Sequence, residues 1–161
     1  MLGYPKNNVM EKILIDIEEE ILTIPYAHFE DWDMLQVFLK RRKNPPYRIS
    51  DNLDLAGSSV ESLGNLESVG GWLSLEKTNI KSLGNLESVG GSLFLCDSSI
   101  KSLGNLESVG GNLDLRGTSI KSLGNLESVG GSLYLYRTPI SKKYTREEIR
   151  SMVNLGGDVY L

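Results

Sequence analysis

The sequence has few of the residues that form disulfides or metal sites, and it has no long apolar run of the kind that spans a membrane. Among its 161 residues there is one cysteine, Cys96, and one histidine, His28. A single cysteine excludes a disulfide within the chain, and together with the absence of any Asn-x-Ser/Thr sequon this favours a reducing compartment. No apolar run approaches the roughly 20 residues that a membrane helix needs. The first eight residues lack a basic start followed by an apolar stretch, so we expect no signal peptide and a cytoplasmic location.

Charge and motif content narrow the function classes further. The formal net charge of −4 argues against a protein that tracks nucleic-acid phosphates. No P-loop or G-x-G-x-x-G motif occurs, and His28 has no partner cysteine with which to build a zinc site. Cys96 is followed by an acid, Asp97, so its thiol is not expected to be activated. We therefore predict a non-enzymatic protein with no cofactor and no metal.

A 20-residue repeat dominates the middle of the chain. The ten residues SLGNLESVGG occur at 62–71, 82–91, 102–111 and 122–131. The full units begin at Asp51, Gly71, Gly91, Gly111 and Gly131, and the fifth departs from the pattern after Ile140. Five copies exceed the three or so that repeat proteins need to bury a continuous core. The repeat also accounts for the glycine content, because 14 of the 17 glycines lie between residues 51 and 140.

Two hydrophobic periodicities coexist within each unit. The stretch Trp72–Glu76 alternates between outward residues and inward leucines, which predicts a short strand. The apolar residues that follow, Ile80, Leu83, Leu86 and Val89, are spaced by three, which suits extended or 3₁₀-like turns rather than an α-helix. The glycines lie where a small coil must bend. The pattern predicts an α+β repeat solenoid, a right-handed coil whose strands stack about 4.8 Å apart into a parallel sheet of about six short strands.

The repeat frame resembles a known family. Over residues 51–140 the frame L-x-x-V-x-x-x-L-x-L-x-x-T-x-I-x-x-L is similar to the leucine-rich repeat in its short bacterial form. It also resembles receptor L-domain solenoids and short repeat proteins of bacteria and tailed phages, which by analogy implies a host-directed protein target. The inward asparagine of the family is replaced here by a hydroxyl residue, namely Ser58, Thr78, Ser98, Thr118 and Thr138. We expect these hydroxyls to bond the backbone of adjacent coils.

Both open ends of such a solenoid need a cap, and the whole chain is expected to form one structural domain. After a flexible N-terminus at 1–8, apolar stripes predict a helical cap over 9–50, although alternation in its first element leaves a strand possible there. The repeats fill 51–140. In the C-terminal cap, 141–161, Thr145 and Glu148 form a capping box that starts a helix over 145–154. A final strand over 158–161 would end the sheet and allow a homodimer through its free edge, unless the helix covers it.

Variation between the copies is concentrated on one face. The units differ mainly at positions 2, 4, 6, 7 and 9, and positions 2, 4 and 6 flank the inward leucines of the strand. Aromatic residues and arginine among polar neighbours are typical of protein interfaces. The candidate partner-binding residues on this face are Trp72, Ser74, Glu76, Phe94, Cys96, Asp114, Arg116, Tyr134, Tyr136 and Tyr160.

These observations predict a module that binds a protein partner through its exposed strand face. Neutral drift would also vary such positions, but the column of Glu67, Glu87, Glu107 and Glu127, which should be equally exposed, is unchanged. Two other functions stay open. One is the capture of a nucleotide or sugar, with aromatic stacking and Arg116 holding an anion, and the other is a structural or self-associating role. The glutamates and a lysine column, Lys81, Lys101 and Lys121, are expected to form a solvated surface.

Overall fold

The structure is a computed structural model that describes residues 14–16, 21–29 and 31–161. Over the described repeats, successive 20-residue coils stack on one another, and each coil contributes one strand to each of two sheets. This is the repeat solenoid that the 20-residue period predicts.

The N-terminal cap combines strands with one helix. Strands β1 (Leu14–Asp16) and β2 (Ile21–Ile24) pair antiparallel, a 3₁₀ turn covers Tyr26–His28, α1 spans Trp32–Arg41 and β3 spans Tyr47–Ile49. The prediction of a wholly helical cap over 9–50 is therefore wrong, and the strand alternative holds for 14–16 and 21–24. The reason is that β2 pairs in parallel with β3, so a sheet satisfies the backbone of its β-branched isoleucines. The predicted flexible segment 1–8, together with 9–13 and 17–20, lies outside the described residues.

From residue 53 onward, the strands alternate between the two sheets. In chain order they are β4 (Leu53–Asp54), β5 (Leu66–Val69), β6 (Leu73–Ser74), β7 (Ser88–Val89), β8 (Leu93–Phe94), β9 (Ser108–Val109), β10 (Leu113–Asp114), β11 (Ser128–Val129) and β12 (Leu133–Tyr134). The even-numbered strands form one parallel sheet, and the odd-numbered strands continue the sheet of the N-terminal cap. Equivalent residues of neighbouring coils pair in register, as Leu73 does with Leu93. The second sheet, built on the Ser-Val pairs, was not predicted from the sequence.

The C-terminal cap is a short helix followed by two short strands. Helix α2 (Arg146–Met152) begins with a complete capping box: the Thr145 hydroxyl accepts from the Glu148 backbone N–H at 3.2 Å, and the Glu148 carboxylate accepts from the Thr145 N–H at 2.8 Å. Strand β13 (Asn154–Leu155) ends the odd-numbered sheet, and β14 (Val159–Tyr160) ends the even-numbered sheet. Arg150 of α2 donates to the Gly157 carbonyl at 2.9 Å and thereby ties the helix to the turn before β14.

The core is a set of apolar columns that run along the stack. Leu73, Leu93, Leu113 and Leu133 have no measurable exposure, and the other inward leucines, isoleucines and valines join them in one continuous cluster. The buried hydroxyl ladder bonds differently from our expectation. The Thr118 hydroxyl donates to the Leu115 carbonyl of its own coil at 2.7 Å, and the other four ladder residues do the same three residues back. A short hydroxyl reaches its own turn but not the next coil.

The solvent-facing columns are charged as expected. Lys81, Lys101 and Lys121 are exposed, and so are Glu87, Glu107 and Glu127, whereas Glu67 is half-buried and lies 3.6 Å from Arg48. In the part of the chain that the structure describes, neither helix is long and apolar enough to cross a membrane.

Candidate interaction face

The outward surface of the even-numbered sheet carries positions 2, 4 and 6 of each unit, and we call it the strand face. Because neighbouring strands pair in register, these positions form three columns across the sheet. The position-4 column reads, in order, Asp54, Ser74, Phe94, Asp114, Tyr134 and Tyr160. All ten candidate residues lie on this face, but they differ in how much of each is accessible.

A notch forms where two aromatic side chains stand diagonally across neighbouring strands. Trp72 and Phe94 are half-buried, and the positions that complete the square hold the small residues Ser74 and Ser92. Together with Gly91 they line an open surface cavity of about 360 Å³. Ser74 is only 6% exposed, so it forms the floor of the notch rather than a contact surface. The arrangement leaves two aromatic walls available to a side chain from outside.

The centre of the face is held by a tight ion pair. Asp114 is 5% exposed, and its carboxylate accepts from Arg116 at distances of 2.6 to 3.0 Å from the guanidinium Nε and one Nη. This hydrogen bonding, and then the negative charge of Asp114, raises the pKa of Arg116. The guanidinium carbon also lies 5.8 Å from the ring centre of Tyr134. The pair fixes Arg116 in place and uses the donors of its Nε and one Nη within the protein.

Cys96 lies beside two carboxylates that the sequence places in different repeats. One ligand atom from each of Glu76, Cys96 and Asp114 lies within 4.8 Å of the others, so these residues could together face a cation. However, both carboxylate oxygens of Asp114 already accept from Arg116. Burial, and then the charges of Asp114 and Asp97, raise the pKa of the Cys96 thiol. The thiol is therefore kept protonated near neutral pH, which disfavours both metal ligation and nucleophilic attack.

The C-terminal end of the face is a tyrosine cluster. The rings of Tyr134 and Tyr160 stack with centres 4.8 Å apart and planes 6° apart, and Tyr136 is 45% exposed. Next to them Arg150 lies 2.8 Å from Asp158. The stacked pair covers one face of each ring, and Tyr136 is the most exposed aromatic side chain of this cluster.

One feature that the sequence reasoning missed lies where α1 meets the first coil. Tyr26 and Trp32, with ring centres 6.5 Å apart, line an open cavity of about 650 Å³. Four acids, Asp31, Asp33, Asp54 and Glu61, line it as well. Burial, and then the charges of Asp31, Asp54 and Asp33, raise the pKa of the Tyr26 hydroxyl. The closely spaced Asp31-Trp32-Asp33 was the available signal, but only the docked cap brings it to the first coil.

A second groove lies on the odd-numbered sheet, away from the predicted residues. It measures about 510 Å³ and is lined by the invariant Ser, Val and Gly columns of the repeat, with Asn154, Leu155 and Gly156 at its end. It carries neither charged nor aromatic side chains, so it offers little with which to distinguish one ligand from another.

Comparison of the chain with protein-family models, with curated proteins and with solved structures finds no match.

Proposed function

We propose that this chain is a leucine-rich-repeat protein that acts without catalysis, in a reducing cytoplasmic compartment, by binding a protein partner through its strand face. The observation that carries the proposal is the contrast between the two sheets. The odd-numbered sheet repeats one sequence of small residues, whereas the even-numbered sheet presents aromatic residues and arginine among acids. Side chains of this kind contribute most of the binding energy in protein interfaces.

Binding of a small nucleotide or sugar is less well supported than binding of a protein. Ligand sites for small molecules bury most of the ligand in a concave pocket. The cavities at Trp72 and at Trp32 are instead open to solvent along a broad face. Arg116, the expected anion holder, is already bonded to Asp114. Self-association through β14 stays a prediction, which light scattering of the purified chain would test.

The proposal is tested by capture of a partner from an extract of the organism of origin. The strand-face variant replaces Trp72 and Phe94 by alanine, and the matched control replaces Lys101 and Glu107, which are exposed outside the strand face, by alanine. Each aromatic truncation at an interface hot spot costs about 2 kcal/mol or more, which corresponds to about a 30-fold loss of affinity. We expect the strand-face variant to lose the partner and the control to keep it. If the control variant loses the partner and the strand-face variant still captures it, the strand face is not the binding surface.

A further inference from the structure

The two open cavities on and beside the strand face meet at one cross-strand pair. Asp54 lines the cavity of Tyr26 and Trp32, and it pairs in register with Ser74, which forms the floor of the Trp72 notch. The two cavities therefore form one continuous surface across the N-terminal half of the strand face. We call it the acidic–aromatic surface.

The carboxylates of this surface form no close ion pair among the described residues, although the negative charge of Glu76 helps to raise the pKa of Arg116. Asp31, Asp33, Asp54, Glu61 and Glu76 form no ion pair with any lysine or arginine there. Asp31 and Asp54 accept only backbone N–H groups, from Met34 and Ala56.

The acids on and beside the strand face in its C-terminal half differ in this respect. Asp97 pairs with Arg137, Asp114 with Arg116 and Asp158 with Arg150. Lys77 and Lys81 lie in the same coil as Glu76, yet neither pairs with one of the five unpaired acids. Among the described acids that border the strand face, those without an ion pair therefore lie in its N-terminal half, where Trp32 and Trp72 line open cavities.

Resting on the proposed function, we propose that the acidic–aromatic surface docks a basic segment of the protein partner, with arginine or lysine side chains entering between its aromatic rings. The long stem of such a side chain packs against aromatic rings while its charged head stays near carboxylates. Indole and phenyl faces also attract a cation directly. An apolar segment would instead take water from the carboxylates without supplying a partner charge.

The test titrates the isotope-labelled protein with a capped tetra-arginine peptide and, separately, with its neutral isostere, a capped tetra-citrulline peptide. We expect the arginine peptide to shift the Trp72 and Trp32 indole signals and the Ser74 amide signal in NMR spectra. Raising the salt concentration from about 50 to 200 mM should weaken its binding several-fold, because the rim charges are screened. Citrulline should shift the same signals far less. Equal binding of both peptides would overturn the proposal.

Variants that remove two negative charges at different places show whether peptide affinity depends on the acidic–aromatic surface or only on the net charge of the protein. The double variant Asp33→Asn with Glu76→Gln should weaken peptide binding at least about five-fold, because rim charges steer and hold an oppositely charged partner. The matched variant Glu87→Gln with Glu107→Gln removes the same charge from exposed positions outside the strand face and should leave binding within about two-fold. Equal weakening by both variants would overturn the proposal. So would displacement of the peptide by Mg²⁺ or Ca²⁺ at low millimolar concentration, since the surface would then be a metal site.

The same variants distinguish this inference from the proposed function. If partner capture is lost on replacing Trp72 and Phe94 but survives in the Asp33→Asn, Glu76→Gln protein, the strand face binds and the basic occupant is wrong. If capture survives in both proteins, the proposed function fails as well.

Discussion

Replacing Gly110 by alanine should force two neighbouring coils apart. A Cβ atom built on Gly110 collides with the Gly90 carbonyl oxygen, and it lies 2.9 Å from the Gly90 carbonyl carbon. The Cβ position is fixed by the backbone of residue 110 and the atoms it meets belong to the backbone of Gly90, so no side-chain rotation relieves the contact. The adjacent bonds from the Gly110 N–H to the Val89 carbonyl, at 2.8 Å, and from the Gly111 N–H to the Gly91 carbonyl, at 2.9 Å, must stretch as the coils separate.

The size of the effect follows from these contacts. Overpacking of this kind costs about 1–3 kcal/mol, and weakening two backbone hydrogen bonds adds about 1 kcal/mol each, so we expect a loss of about 3–5 kcal/mol. Gly84 provides the matched control. Its φ of +60° disfavours alanine, but an added Cβ meets nothing within 4 Å. The left-handed backbone alone should cost about 1–2 kcal/mol.

Urea denaturation followed by far-ultraviolet circular dichroism measures both variants against the parent chain. The free energy of unfolding should fall in the order parent, Gly84→Ala, Gly110→Ala. If the Gly110→Ala protein is no less stable than the Gly84→Ala protein, the coils do not approach as closely as the stack requires, and the argument from inter-coil contact is refuted.

Three further outcomes follow from the same structure. Thr118→Val should lower the free energy of unfolding in urea denaturation by about 1 kcal/mol, because the Leu115 carbonyl loses the hydroxyl and keeps only the Thr118 backbone N–H as donor; no change would contradict this. Because the pKa of Cys96 is raised, its rate of alkylation should be low at pH 7 and should still increase with pH where the rate for a free cysteine peptide has become constant. A rate for Cys96 that becomes constant at a lower pH than that of the peptide would contradict this. Tyr47 is buried and donates to the Leu63 carbonyl at 2.7 Å, and burial raises its pKa. Folding stability should therefore hold below about pH 10 and fall above it, where only the unfolded chain loses this proton, and Tyr47 phenolate absorbance should appear together with unfolding.

The repeat arithmetic was enough to predict the stack, because a period of 20 with Leu-x-Leu alternation leaves one way to bury the leucines. It could not predict the second sheet, since a two-residue Ser-Val strand is too short to show a period of two. The sequence predicts a helix through Ile21 because Ile13, Ile17 and Ile21 are four residues apart. Pairing with Tyr47–Ile49, which lies 25 residues further on, decides the outcome instead.

The sequence predicts which residues lie on the candidate face, but not how deeply each of them is buried. Alternation identifies which residues point outward, yet the burial of Ser74 and Asp114 depends on their neighbours in adjacent coils. The pairing of Asp114 with Arg116 is a contact between residues two apart and was within reach of sequence reasoning. The cavity at Tyr26 and Trp32 was not, because it exists only where α1 docks against the first coil.

Site-specific photo-cross-linking shows which surface contacts the partner without weakening the complex, and it therefore tests binding through the strand face. A benzophenone amino acid is placed at Ser92, beside the Trp72 notch, or at Ser102, an exposed position away from the strand face. We expect the captured partner to be cross-linked from position 92 and not from position 102. Cross-linking from position 102 alone would show that the strand face is not the binding surface.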